Sequence, residues 1–504
     1  MVAVAPGRSP EAILVMAHRD NTGSGPGAND NASGTAALIE LARAYARTTT
    51  GAAGGVSPRH TIVFLSTDGG AFGGLGADRF AARSPYRSRI AAVLNLDAIA
   101  SARRPRLELA GNGSRQPNGT LVATASERIL EQTGERPGRT SLFGQLIDLA
   151  FPFSLYEQAP FLGRRIPAVT ITTQGSRPAA AARDTPGRID ARRLGQLGRS
   201  AELLLRTLDE RLELAHGTSS YVFLGERLVR GWAVQLALIA MLLPFFVAAV
   251  DLFARCRRRA IPLAPAFRSY RSRLAFWLWS GALFLLFALA GVWPGGAPRP
   301  LNPEGGAGTS WHRGGIAGLA VLLLASWIVG RDRLVPRRPV TAEEELAGHT
   351  AALLALGVVA LLVVATNPYA LLFVLPSLHL WLWLPNARGV HASVRTLLLL
   401  GGGAGPLLLL GSLAFRFGLG LDAPWYLAEL VAIGYVPIVA VVISLAWLAG
   451  AAQLIAVAAG RYAPYPRPSE RPPRGPLRNA LRAVVLGVRS GRRAAVAGRR
   501  AIER

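Results

Sequence analysis

The sequence predicts a protein in two parts: an α/β domain with a mostly parallel sheet and helices on both faces, then an α-helical multi-span membrane domain. Three observations carry this. Short apolar runs of β type alternate with helical periodicities up to about residue 215. Beyond residue 230 the chain becomes a series of apolar stretches that reach the roughly 17–25 residues needed to cross a bilayer. The Arg residues between those stretches concentrate in alternate loops.

Residues 12–17 form the first clear strand. An amphipathic helix follows at 34–47, with Ala37, Leu38, Leu41, Ala42 and Tyr45 on one side and Ser33 as its predicted N-cap. The pattern then gives a strand at 61–65, a helix near 74–82, a strand at 90–96 and helices at 120–133 and 141–149. A strand at 166–172 and a long amphipathic helix at 190–214 close the domain. Strands alternating with helices imply right-handed crossovers and therefore a largely parallel sheet. A domain over 1–215 is long enough to bury one core, and 216–230 reads as a linker.

Residues 231–460 hold seven candidate spans, at 231–253, 274–293, 314–330, 348–366, 368–385, 396–415 and 427–459. The last is long enough to tilt, to kink at Pro437 or to split, so the count is seven or eight. One set of alternate segments, 255–273, 331–347, 386–395 and the 461–504 tail, carries 25 Arg; the intervening loops carry 3. Basic loops stay in the cytoplasm. The Arg-rich tail is therefore expected inside and the N-terminal domain outside. Translocating such a domain needs a signal or anchor. Residues 1–7 have neither a basic segment nor an apolar core, and the expectation is a start that omits an upstream anchor.

The net charge is +26 and all 56 basic residues are Arg. Residues 1–215 hold 26 Arg against 19 acids, so the excess lies in membrane loops and tail and reads as topology. Nucleic acid is not an expected partner; anionic membrane lipid against the tail is. The single cysteine, Cys256, permits no disulfide within one chain.

Chemistry concentrates in His18-Arg-Asp20 at the end of the first strand and in Gly27-Ala-Asn-Asp30-Asn-Ala-Ser-Gly34 just after it. A His and an Asp at the carboxyl ends of strands are what a zinc site on an open α/β sheet requires. Together with Asn95-Leu-Asp97, Ile166-Pro-Ala-Val169 and the turn Asp184-Thr-Pro186, these motifs resemble metallopeptidase family 28, the co-catalytic zinc aminopeptidases and carboxypeptidases, over about residues 8–210. The layout is similar to the multi-spanning members of that family. The resemblance implies a zinc-peptidase-like fold, peptide or peptide-like ligands, and zinc held by His18, by Asp30 as the bridging carboxylate and by Asp97. It makes Asp20 the carboxylate that orients His18.

The family's second metal is poorly matched. A Glu-Glu pair should follow the second strand, as base and ligand; Thr67-Asp68-Gly69-Gly70 offers only Asp68, one methylene shorter. A His should stand four residues before the Asp-Thr-Pro turn, and position 180 is Ala. The candidate catalytic residues are thus Asp68 and Asp20, the metal ligands His18, Asp30 and Asp97, with one zinc rather than two. His60 precedes its strand, on the end pointing away, and His216 follows the last helix. Asp251, His349, Arg416 and Glu429, near predicted span ends, read as snorkelling or capping groups. His379, deeper in its span, reads as a packed hydrogen-bonding residue.

The functional expectation is a membrane-anchored, extracytoplasmic zinc exopeptidase-like domain with reduced or lost activity. The alternatives are a catalytically inactive peptide-binding protein and a transporter-like membrane protein regulated by the domain.

Overall fold

The computed structural model describes residues 1–49, 57–175, 181–293, 295–303, 311–334, 340–387 and 389–460. Ala180 and the 461–504 tail fall outside these. The N-terminal part runs β1 (Val2–Ala5), β2 (Ser9–His18), α1 (Gly34–Thr49), β3 (His60–Thr67), α2 (Leu75–Arg83), β4 (Ile90–Leu96), β5 (Arg106–Glu108), β6 (Gln116–Pro117), α3 (Gly119–Thr133), α4 (Leu142–Ala150), α5 (Ala159–Gly163), β7 (Ala168–Thr172) and α6 (Ala191–Glu210).

Six strands form one sheet in the order β1-β3-β2-β4-β7-β5. The four central strands are parallel, and β1 and β5 pair antiparallel at the two edges. The centre is β2, whose residues Ala12 through Ala17 are all fully buried. Such a continuous apolar run belongs to a strand covered on both faces. Ile13, Val15 and Ala17 point to the core shared with α1, α3 and α6, while Leu14 and Met16 point to the core shared with α2 and α5. On the first face Leu38, Leu41, Leu121, Leu204 and Leu205 fill the layer between sheet and helices. Each such burial contributes about 1.5–3 kcal/mol. Asp190 starts α6 by accepting the amides of Arg192 and Arg193, 3.0 Å each.

Three departures from the sequence reading have local causes. The edge strands β1 and β5 are too short to show an alternating pattern; β5 has one apolar residue, Leu107. The stretch read as a linker contains β8 (Thr218–Ser219), paired with β6, and a hairpin of β9 (Tyr221–Leu224) and β10 (Arg227–Arg230). Its turn is Gly225-Glu226, with Gly225 at φ +62°. The long helix at 190–214 stops at Glu210 and continues only as a single tight turn, Leu212–Ala215.

The second part comprises α7 (Gly231–Ala240), α8 (Leu243–Arg258), α9 (Ala264–Leu289), α10 (Arg313–Leu334), α11 (Ala342–Thr366), α12 (Leu371–Trp381), α13 (Ala392–Gly402), α14 (Ala404–Phe417), α15 (Ala423–Ala432) and α16 (Ile438–Ala458). Among the described residues six segments are long and apolar enough to cross a membrane, α7 and α8 together forming the first. The bent pair α13–α14 makes a seventh if it is one span. The stretch read as 427–459 divides into α15 and α16. Gly434 at φ +77° ends one, and Pro437, which lacks an amide proton, caps the other. The central span is α11, with 67% of its most apolar stretch buried. Its entry is fixed by a capping box, Thr341 accepting from the Glu344 amide and Glu344 from the Thr341 amide.

Candidate metal centre

Strand β2 leads through α1 to β3 on one side, and the chain then crosses to β4 on the other. The carboxyl ends of β2 and β4 thus flank the point where the sheet reverses direction, the place where open α/β sheets bind ligands. His18 ends β2 and Asp97 follows β4 directly.

The loop after β2 carries Asp30 to the same point. Its motif is a set of ties rather than a helix start alone. Asn31 Oδ1 accepts the Ala98 amide at 3.0 Å, Ser33 Oγ the Ile99 amide at 3.0 Å and Asn29 Oδ1 the Ala100 amide at 2.7 Å. Each satisfies backbone immediately after Asp97, binding the two acid-bearing segments together. From the other side Asp184, in the Asp-Thr-Pro turn, accepts the amides of Asn29 and Asp30, both at 2.8 Å.

His18 Nε2 lies 3.2 Å from Asp30 Oδ1 and 3.5 Å from Asp97 Oδ2. The donor atoms of the three side chains all fall within 4.8 Å of one another. The other ring nitrogen, Nδ1, lies 2.9 Å from the Asp20 carbonyl oxygen and 3.5 Å from its carboxylate. Asp20 is fixed in turn by the amides of Gly70 and Ala71, at 2.9 and 3.0 Å. Gly70 is required there: a Cβ would come within 2.3 Å of the His18 side chain. Burial opposes a charged imidazole, yet the hydrogen bonds to Asp20, Asp30 and Asp97 outweigh it and hold the His18 pKa well above its usual value. Burial lifts the Asp97 carboxyl above the usual range; His18 pulls it down and the Asp30 charge pushes it up again. Crowded carboxylates of this kind call for a positive charge between them. One imidazole nitrogen and two carboxylates, with a carboxylate behind the imidazole, form a donor set that fits zinc.

Asp68 stands apart from this cluster. Its carboxylate faces solvent, 69% exposed, and pairs with Arg19 at 3.1 Å. His60, at the opposite end of β3, is bound to Asp209. Asp30 Oδ2 accepts from Gln174 Nε2 at 2.9 Å. Gln174 thus fixes the orientation of the Asp30 carboxylate.

Glu157 was not singled out in the sequence. It is 1% exposed, and Oε2 accepts from Thr67 Oγ1 at 2.8 Å, Thr67 being the residue opposite His18 in the β2–β3 pairing. Oε1 has no hydrogen-bond partner among the described residues. Burial pushes its pKa up to about 7, against the pull of His18 and Thr67. The available signal was a lone acid in the otherwise uncharged stretch 149–163. Gln174 had a weaker one, its place two residues beyond the carboxyl end of β7.

A pocket of about 80 Å³ opens over His18, Asp30 and Asp97. Its lining also includes Glu108, Asp148 and Tyr156, with Asn302, Arg416 and Phe417 from the helical second part. Arg416 lies 2.6 Å from Asp148, and Asn302 Nδ2 donates to the Ala71 carbonyl at 2.8 Å. Phe153, in the segment that walls the pocket, is enclosed by Phe417, Tyr426 and Tyr435. Arg416, expected to snorkel, instead joins the two halves. Glu429 accepts from Trp425 Nε1 at 2.8 Å, Asp251 pairs with Arg255 at 2.7 Å, and His379 Nδ1 lies 2.9 Å from the Leu375 carbonyl.

Residues 1–204 match the family model described as Peptidase family M28. The chain is 28% identical over 214 residues to the BOS complex subunit NCLN of Mus musculus, covering 39% of this chain and 37% of that one. It is 31% identical over 126 residues to a probable zinc metalloprotease of Pyrenophora teres f. teres (strain 0-1), covering 25% and 24%. The chain thus spans well under half the length of these curated relatives. Among solved structures, a zinc aminopeptidase from Bacillus subtilis aligns at 18% identity, 43% of this chain and 52% of that one, with a TM-score of 0.33. The resemblance to metallopeptidase family 28 therefore holds over the N-terminal domain.

Proposed function

We propose that this chain, whose N-terminal domain resembles metallopeptidase family 28, is a membrane-anchored peptidase-like protein that holds one zinc ion and binds short peptides at it. The observation that carries this is the His18–Asp30–Asp97 cluster, backed by Asp20. Zinc held by these residues would supply Lewis-acid polarisation of a peptide carbonyl and an acidified water. The chain's own groups do the rest. Asp20 fixes the ring orientation of His18, and Gln174 orients Asp30. Asn302, Arg416 and Phe417 line the same pocket; the exopeptidase type rests on the family resemblance. Asp68 faces solvent, paired with Arg19, and does not line the pocket. Glu157 is buried, with one oxygen unpartnered among the described residues and a pKa raised by burial to about 7, but it does not line the pocket, so it is not assigned the base's role.

The extracytoplasmic placement of the domain and the cytoplasmic tail rest on the Arg alternation. A second reading, an inactive peptide-binding protein, is favoured by one observation: the only acid in the loop following β3 faces solvent. Release of amino acids from short peptides by the full-length protein, with and without a chelator, separates the two. Chelator-sensitive release supports the enzyme; peptide binding without release supports the binding protein.

A further inference from the structure

Beside the candidate centre the structure holds a second cavity, of about 520 Å³, with an unusual lining: Arg103, Arg104, Arg106, Arg136 and Arg139 against one acid, Glu226. The fold aligns these groups. The segment carrying Arg104 and Arg106 runs beside the one carrying Arg136 and Arg139 through a bridge between Arg106 and Gly138. The Gly138 amide donates to the Pro105 carbonyl at 2.7 Å and the Leu107 amide to the Gly138 carbonyl at 3.1 Å. Arg104 Nε donates to the Arg136 carbonyl at 2.8 Å, and Arg139 lies 4.0 Å over the Phe223 ring. Glu108 offsets Arg106, and Glu127 with Glu226 offset Arg136. Among the described residues no acid pairs with Arg103, Arg104 or Arg139. Three guanidinium groups without an acidic partner among the described residues therefore share a concave surface whose one acid, Glu226, is paired with Arg136, and such groups recognise carboxylates through paired N–H donors.

The cavity also adjoins the metal pocket. Gly175 lines both, and Arg103 and Thr173 also line the cleft that reaches Asp30. We propose that the arginine cavity is an anion subsite of the peptidase-like cleft, taking the carboxylates of an acidic peptide whose end lies at His18, Asp30 and Asp97. This deepens the peptide-binding reading and rests on it for the peptide's placement. A phosphate-bearing lipid headgroup presents related chemistry, but the shared lining with the metal pocket favours the peptide.

The test uses full-length protein in zwitterionic nanodiscs, whose zinc content is measured in the same samples. Calorimetric titration compares a tripeptide bearing two glutamates with the same peptide bearing two glutamines. The acidic peptide is expected to bind about tenfold tighter or more, the equivalent of one charge-assisted pair. That preference is expected to vanish in Arg103→Gln/Arg104→Gln, two exposed positions whose replacement leaves the core intact, and to persist in Arg103→Lys/Arg104→Lys at reduced strength. Equal affinity for the two peptides overturns the proposal, as does a preference unchanged in the Gln variant. Binding of phosphatidylserine vesicles to the cavity, without preference for the acidic peptide, also overturns it. Acidic preference in protein without zinc retains the subsite and rejects the zinc reading.

Discussion

Arg416, in the last turn of α14, lies 2.6 Å from Asp148 on the wall of the pocket over His18. Both side chains are largely buried, Asp148 the more so at 6% exposure. The helical second part thus contributes side chains to the wall of the site. Removing one partner strands a buried charge, at a cost of about 3–5 kcal/mol. Arg416→Leu and Asp148→Asn are each expected to lower the thermal midpoint and expose the 151–158 segment to protease. The double variant Arg416→Leu/Asp148→Asn is expected to lose clearly less than the sum of the two single variants. Additive losses contradict direct coupling.

Gly70 has no space for a side chain beside His18. Gly70→Ala is expected to push the imidazole out of line and weaken zinc affinity by about tenfold or more, with Asp20→Asn falling in the same roughly 10–100-fold range. Competition with a chromogenic chelator measures both; unchanged affinity in either contradicts the arrangement.

Asp68 predicts the opposite behaviour. Its pairing with Arg19 is a surface ion pair, worth about 0–1 kcal/mol. Asp68→Asn is expected to leave zinc affinity and any peptide turnover within about twofold of the parent. A large loss of turnover returns Asp68 to the catalytic role.

Glu157 sets a pH dependence in metal-free protein. Its pKa rises from 4.5 unfolded to about 7 folded, so the folded state holds the proton more tightly. The resulting stability is fully present below about pH 4.5 and is lost as pH rises through about 7. Glu157→Gln, which cannot titrate, is expected to flatten this part of the profile. Thermal midpoints between pH 4.5 and 7.5 in chelator-treated samples read it directly; an identical slope in parent and variant contradicts the assignment.

The central strands were legible because β2, β3, β4 and β7 are continuous apolar runs, the mark of strands covered on both faces. His18, Asp20, Asp30 and Asp97 were legible because each stands at or just beyond such a run, in a motif whose Asn and Ser side chains stitch the loops together. The rest depends on distant partners. Glu157 reads as an ordinary acid until Thr67 and His18 are seen beside it. Arg416 looks like a helix-end arginine until Asp148 is seen beneath it. Asp68 looked like the remaining base because it follows β3, yet the chain there turns its side chain outward to Arg19.

The central claim is a single zinc held by His18, Asp30 and Asp97. Its most direct test is zinc stoichiometry of the full-length protein after saturation and exhaustive dialysis, beside His18→Ala. The account predicts one ion per chain in the parent and none in the variant. Two ions per chain, none, or one retained by His18→Ala would contradict it.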